Sequence, residues 1–202
     1  MIAVTLNTLG FVSIQLSRFH EAHEFLQESL ALVTAAEDPW SVGTAYGNLG
    51  IVELARGNSA EAQNLLQKSI PLFADSGMLG DAAYFMTFLG ESVLLLGATE
   101  DAESYWLDAI RIARETQALP TELAILVRLA RLHAGKGNVV DAYRWARLVA
   151  GHPAARQDTH SRAKKLCAEL EPKLTLQQQQ SIRSSQERDL LDYFIQEILA
   201  QT

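Results

Sequence analysis

Two histidines are the first candidates for chemistry. In His20-Glu21-Ala22-His23-Glu24 the imidazoles stand three residues apart, so one helix face could offer both to a metal, with Glu24 beside them. Zinc hydrolases instead use an i, i+4 pair with a glutamate between, and no third His or Cys lies nearby in this sequence. Gly135-Lys136-Gly137-Asn138 has the outline of a phosphate loop. It lacks the upstream glycine and the following Ser or Thr, and it reads as a turn between helices. Cys167 has no evident histidine partner, and no G-x-S-x-G occurs. Asp101 and Glu103 fall at a helix start, where carboxylates complement the backbone dipole. Tyr105, Trp106 and Trp145 read as packing residues. Neither a catalytic group, a cofactor nor a metal is expected, so the chain does not read as an enzyme.

The elements that hold these residues must then explain the sequence. The chain has 202 residues, 48% of them hydrophobic, which supports a substantial core and argues against disorder. A single cysteine fits a reducing compartment, so a cytoplasmic location is expected. No apolar run approaches the roughly 18 residues of a membrane span, and no basic-then-apolar leader opens the chain. The net charge of −7 is unevenly spread, with 14 acidic and 3 basic side chains in residues 1–110 against 4 and 11 in residues 111–165. Nucleic acid is not an expected direct partner. The whole chain is acidic, and aromatic residues do not interleave the basic section.

One phrase recurs. Leu9-Gly10, Leu49-Gly50 and Leu89-Gly90 lie 40 residues apart, and Leu129-Ala130 continues the series. Twelve residues after each small residue comes Ala22, Ala62, Ala102 or Ala142. Four further on stands Leu26, Leu66, Trp106 or Ala146, and three beyond that Ser29, Ser69, Ala109 or Val149. Break signals separate the halves at Ser17-Arg18, Gly57-Asn58, Gly97 and Gly137-Asn138. Two antiparallel helices can approach closely only where side chains are small, which accounts for the glycine and the alanine. The expectation is that these two face each other and that the larger residue fills the gap against the neighbouring pair.

The predicted architecture is an all-α, right-handed α–α superhelix of four helix pairs, at about 2–35, 39–75, 79–116 and 120–150, followed by C-terminal capping helices over 151–202. Asp38-Pro39 caps and starts the third helix, Ser76-Gly77 stops the fourth and Pro120 starts the seventh. Residues 154–170 read as a capping helix with Leu166 and Leu170 turned inward, and Glu171-Pro172 breaks it. Thr175 and Ser185 are expected caps for two more helices, the last with a stripe of Leu190, Leu191, Phe194, Ile195, Ile198 and Leu199.

The pattern resembles the tetratricopeptide repeat, W-x2-L-G-x2-Y then A-x3-F then P, in its Leu-Gly, its alanine twelve residues on and the bulky residue after it. It departs in lacking the final proline and in its unit of 40 residues rather than 34. The resemblance implies a protein- or peptide-binding groove lined by the first helix of each pair. Its register places Asn7, Thr8 and Phe11, then Thr44, Asn48 and Ile51, then Tyr84, Thr87, Phe88 and Glu91, and lastly Arg128 and Arg131 along that groove. An asparagine at the place of Asn48 often bonds a ligand's backbone in this family. The A-x-x-N-L-G repeats and the tail from Leu166 also resemble the C-terminal sensor region of large bacterial signal-transduction and transcriptional regulators. Self-association through an uncapped first repeat, giving a homodimer, and small-molecule sensing in the groove are the alternatives.

Overall fold

The structure is a computed structural model, and it describes residues 1–33, 38–184 and 190–200. Eleven α-helices lie among the described residues: α1 (Ile2–Gln15), α2 (Phe19–Leu32), α3 (Pro39–Ala55), α4 (Ser59–Asp75), α5 (Leu79–Leu95), α6 (Thr99–Glu115), α7 (Leu119–Gly135), α8 (Val139–Gly151), α9 (Gln157–Leu170), α10 (Leu176–Ser184) and α11 (Leu190–Ala200). The chain divides into two compact units, Met1–Thr116 and Gln117–Thr202. The sequence pattern changes only after residue 150, but α8 and α7 both pack on α9, which joins the fourth helix pair to the segment that follows it.

A 20-residue beat underlies the 40-residue repeat. Helices α3 to α7 are each 17 residues long and start 20 residues apart. Residues with left-handed backbone fall on the same 20-residue grid, at Ser17 and then at Gly57, Gly77, Gly97, Gln117 and Gly137, with position 37 outside the described residues. At Gly57 the geometry is a Schellman cap, with the Asn58 N–H donating to Glu53 O at 2.8 Å and the Gly57 N–H to Leu54 O at 3.0 Å. Gly77 and Gly97 repeat it through Met78 to Phe73 and Ala98 to Val93. Turns within a pair and turns between pairs are therefore made alike. The expected start of α3 is also present: the Asp38 carboxylate accepts from the Ser41 N–H at 2.9 Å, with Pro39 in the first turn. Hydrogen bonding from Ser41 holds the Asp38 carboxyl below its ordinary pKa.

In the first unit the helices of each pair are locked at the repeat's small residue. Gly50 faces Ala62 as expected, a Cβ there lying 3.3 Å from Ala62 O, and the bulky residue adds to the lock. A Cβ on Gly50 would lie 2.7 Å from Leu66 Cγ, and one on Gly10 would lie 2.6 Å from Leu26 Cγ. On Gly90 it would strike the indole of Trp106. The bulky residue thus sits over the glycine of its own pair, because four residues past the alanine is one turn further along the same face, while Leu26 and Leu66 also reach the next pair. Each pair is also stitched by a side chain of its second helix. Ser29 Oγ donates to Ala3 O (3.0 Å), Ser69 Oγ to Gly43 O (2.7 Å) and Trp106 Nε1 to Thr87 O (2.9 Å). All three donors are buried, so each bond satisfies a group that water cannot reach.

Successive pairs of this unit share two clusters. Ala22 and Leu26 join Ala45, Leu49, Val52 and Leu65, while Leu66 and Phe73 join Ala82, Phe85, Leu89 and Val93. Two polar ties cross from the first pair to the second. Asn7 Nδ2 donates to Ser41 O at 2.8 Å, and His23 Nε2 lies 3.8 Å from Glu53 Oε1.

In the second unit α7, α8 and α9 pack in sequence. Leu166 and Leu170 are buried as expected, and Glu171–Lys173 forms a 3-10 turn at the predicted break. Thr175 and Gln178 make a capping box, with Gln178 N donating to Thr175 Oγ1 and Thr175 N to Gln178 Oε1. Phe194, Ile195 and Ile198 of α11 are buried, with the Arg144 guanidinium of α8 4.9 Å from the Phe194 ring centre. Ser185, expected as a cap, lies outside the described residues.

Candidate functional site

In the first unit α1 touches α3 and α3 touches α5, and these first helices approach one another more closely than the second helices do. Theirs is therefore the inner face of the unit. Side chains at equal register on neighbouring first helices form rows. Phe11, Ile51 and Glu91 make one row, Thr8, Asn48 and Phe88 another, and Thr44 and Tyr84 part of a third.

Burial sorts the predicted residues. Asn7, Asn48 and Thr87 are 2%, 2% and 1% exposed. Asn7 is tied to α3 as described, and the Thr87 hydroxyl donates to Ala83 O within its own helix. Thr44, Ile51, Tyr84, Phe88 and Glu91 are half-buried, and Thr8 and Phe11 are exposed. The Tyr84 ring meets Phe85 and Phe88 edge-on, at 5.0 and 5.2 Å between centres. What the inner face offers a partner is thus a half-buried aromatic and aliphatic strip edged by hydroxyls.

The remaining two predicted residues belong to the second unit. Arg128 is buried and donates through Nη1 to Ala124 O at 2.8 Å. Arg131 is exposed and forks onto the Glu169 carboxylate of α9. That hydrogen bonding, with the positive charge behind it, holds the Glu169 carboxyl below its ordinary pKa.

The histidine motif comes apart in the folded chain. His20 and Glu24 pair at 3.4 Å in solvent, while His23 turns toward Glu53. No three His, Cys, Asp or Glu among the described residues converge as metal ligands would. Glu53, which carried no sequence signal in the repeat, is only 5% exposed in the last turn of α3. An anion there opposes the helix dipole. Arg56 Nη1 at 2.9 Å and the Asn58 amide hold it, so the carboxylate fastens the turn that follows. Its signal was the Glu-x-x-Arg-Gly-Asn run across the break.

The family comparison agrees with this geometry. Residues 1–75 match the family model of the tetratricopeptide repeat. Among solved structures, the chain is similar to the nearly identical TPR-like repeats of a candidate kinesin light chain from Podosopora anserina. The two are 20% identical with a TM-score of 0.59, over 91% of this chain and 96% of that one. A substituted form of the same protein gives 19% identity and a TM-score of 0.58, over 98% and 94%. No curated protein matches the chain. Residues 1–75 are thus similar to tetratricopeptide repeats, and the fold is an all-α array of successive packed helix pairs. Such repeats form a scaffold that mediates protein–protein interaction. Among the described residues, no helix is long and apolar enough to cross a membrane.

Proposed function

We propose that the chain is a protein- or peptide-binding module, and that the inner face of α1, α3 and α5 receives an extended segment of its partner. The observation that carries this reading is the row of half-buried and exposed side chains at equal register: Phe11 and Ile51, with Thr8 and Thr44 beside them. Apolar rings and methyls give such a surface area to bury, and hydroxyls at its edge can meet a peptide's main chain. Asn48 lies beneath this strip, so its amide would act on the partner only through the residues above it. Within the second unit, Arg131 and its bound Glu169 form a charged surface that would engage a partner weakly.

The module would serve as the sensor or scaffold part of a larger cytoplasmic bacterial signalling or transcriptional regulator, with binding biasing a distant switch. The supporting observations are the A-x-x-N-L-G phrase at Ala45–Gly50 and the helical tail after Leu166. Selection from a displayed random-peptide library tests the binding reading. Peptides recovered on the chain should lose at least about tenfold in affinity, or 1.4 kcal/mol, on Phe11→Ala with Ile51→Ala, at unchanged helicity. Full affinity in that double variant would move the site elsewhere.

A further inference from the structure

In the second unit α7 and α9 pack on each other, and one ion pair joins them at the surface. The Arg131 guanidinium of α7 forks onto the Glu169 carboxylate of α9, with Nη2 3.1 Å from Oε1. The two side chains are 51% and 38% exposed, so water and solutes reach the bridge and its partners can be exchanged. Two lysines flank it. Lys165 stands four residues before Glu169 in α9, and Lys173 four residues after it, in the 3-10 turn that follows. Four residues is about one helical turn, which sets both lysines beside the carboxylate, and both are exposed. Among the described residues neither lysine is in an ion pair. Hydrogen bonding from Arg131, with the positive charge of Arg131, Lys165 and Lys173 behind it, holds the Glu169 carboxyl below its ordinary value. Three cations thus share one anion.

That surplus sets the chemistry of a partner. Residues 117–173 hold 10 basic and 5 acidic side chains, whereas residues 1–116 hold 5 and 15. An acidic segment is drawn to the second unit and repelled by the first. Spacing restricts it further. From Lys165 to Lys173 the chain rises about 12 Å. An extended peptide covers that length in about four residues, with alternate side chains on one side. Carboxylates at the first, third and fifth places of such a stretch match Lys165, Arg131 and Lys173 in turn. Nucleic acid fits less well, because single strands bind through aromatic rings on which bases stack, and no Phe, Trp or Tyr occurs between Arg156 and Lys173.

We propose that the cationic surface of α7 and α9 binds an extended acidic segment of a partner protein, and that Glu169 is an internal stand-in which the segment's middle carboxylate displaces from Arg131. This rests on the reading of the chain as a binding module but uses a different surface from the strip on α1 and α3. Arg131 is paired before and after the exchange, so the gain in affinity comes from the two lysines. Each exposed pair contributes about fivefold at most, and having several in register makes the spacing selective.

Fluorescence anisotropy of a labelled peptide containing Glu-Ala-Glu-Ala-Glu, titrated with the 202-residue chain, tests this. The peptide should bind, less tightly as salt is added, and about threefold or more tighter than one with the same residues and its three glutamates adjacent. Lys165→Gln with Lys173→Gln should lose about tenfold at unchanged circular dichroism, and Glu169→Gln, which removes the stand-in, should tighten binding by about threefold. Phe11→Ala with Ile51→Ala should leave this affinity unchanged, while peptides selected on the strip lose theirs, so the two surfaces fail separately. No binding at low salt would overturn the proposal, as would equal affinity for the two peptides. So would a loss of affinity in Glu169→Gln, which would make the bridge a structural pin, or in the Phe11 and Ile51 variant, which would put the peptide on the strip. Tighter binding of a single-stranded oligonucleotide than of the peptide would assign the surface to nucleic acid instead.

Discussion

Helix pairs three and four solve the same packing problem with opposite allocations of volume. In α5–α6 the crossing point has no side chain at Gly90 and receives the whole indole of Trp106. In α7–α8 the corresponding positions are Ala130 and Ala146, both fully buried. A glycine in mid-helix costs about 1 kcal/mol against alanine, and the third pair offsets this with a large buried ring and its hydrogen bond to Thr87 O. The fourth pair keeps the better helix former and gives up the ring. A bulky residue thus stands at the crossing where the first helix has glycine, as Leu26, Leu66 and Trp106 do, and a small one where it has alanine.

Breaking that relation should give the largest effects. Gly90→Ala drives a methyl into the Trp106 ring and should destabilise the fold by about 3 kcal/mol, at the upper end of overpacking costs, read from urea unfolding. In the fourth pair, Ala146→Leu should cost about 2 kcal/mol alone and much less in an Ala130→Gly background. A coupling energy of at least about 1 kcal/mol between the two sites is the expected signature of shared space. Strictly additive effects would mean that the two alanines do not share one crossing.

The turns supply a smaller contrast. Ser17 and Gln117 adopt the left-handed backbone that glycine holds at the other described turns of the series. A side chain there is strained, so Gln117→Gly should stabilise and Gly57→Ala destabilise, each by about 1 kcal/mol or less. Smallest is the cap of α3, where Asp38→Ala should cost about 1 kcal/mol or below. The Asp38 carboxyl titrates lower in the folded chain than the unfolded value of 3.8. Its contribution is therefore present above that value and is lost as pH falls through the folded one. The gap between wild type and Asp38→Ala in thermal unfolding should close on acidification over that window.

Much of the architecture was legible because its causes are local. Asp38-Pro39 and the glycines at 57, 77, 97 and 137 punctuate helices through their own backbone preferences, and the structure has helix boundaries beside each. The 20-residue beat was harder to see, since Ser17 and Gln117 stand where glycine would have announced a turn. Leu26 and Leu66 do pack toward the neighbouring pair as expected, but that they and Trp106 also cover the glycine of their own pair was not read, because spacing alone fixes the face of a helix but not every neighbour that face meets. The site was legible only in outline. Register located the first-helix rows, yet exposure depends on how closely α1, α3 and α5 approach, and that left Asn7, Asn48 and Thr87 buried. Glu53 left only the local Glu-x-x-Arg-Gly-Asn run as a signal, because its approach to His23 of another helix is not written in its own helix.

The most direct test of the binding account is methyl NMR of the isoleucine-labelled chain as a selected peptide is added. The account predicts shifts at Ile51 on α3, with Ile70 of α4 and Ile112 of α6 unmoved. Shifts at Ile70 and Ile112 with Ile51 unchanged would contradict it, since the partner would then lie on the second helices.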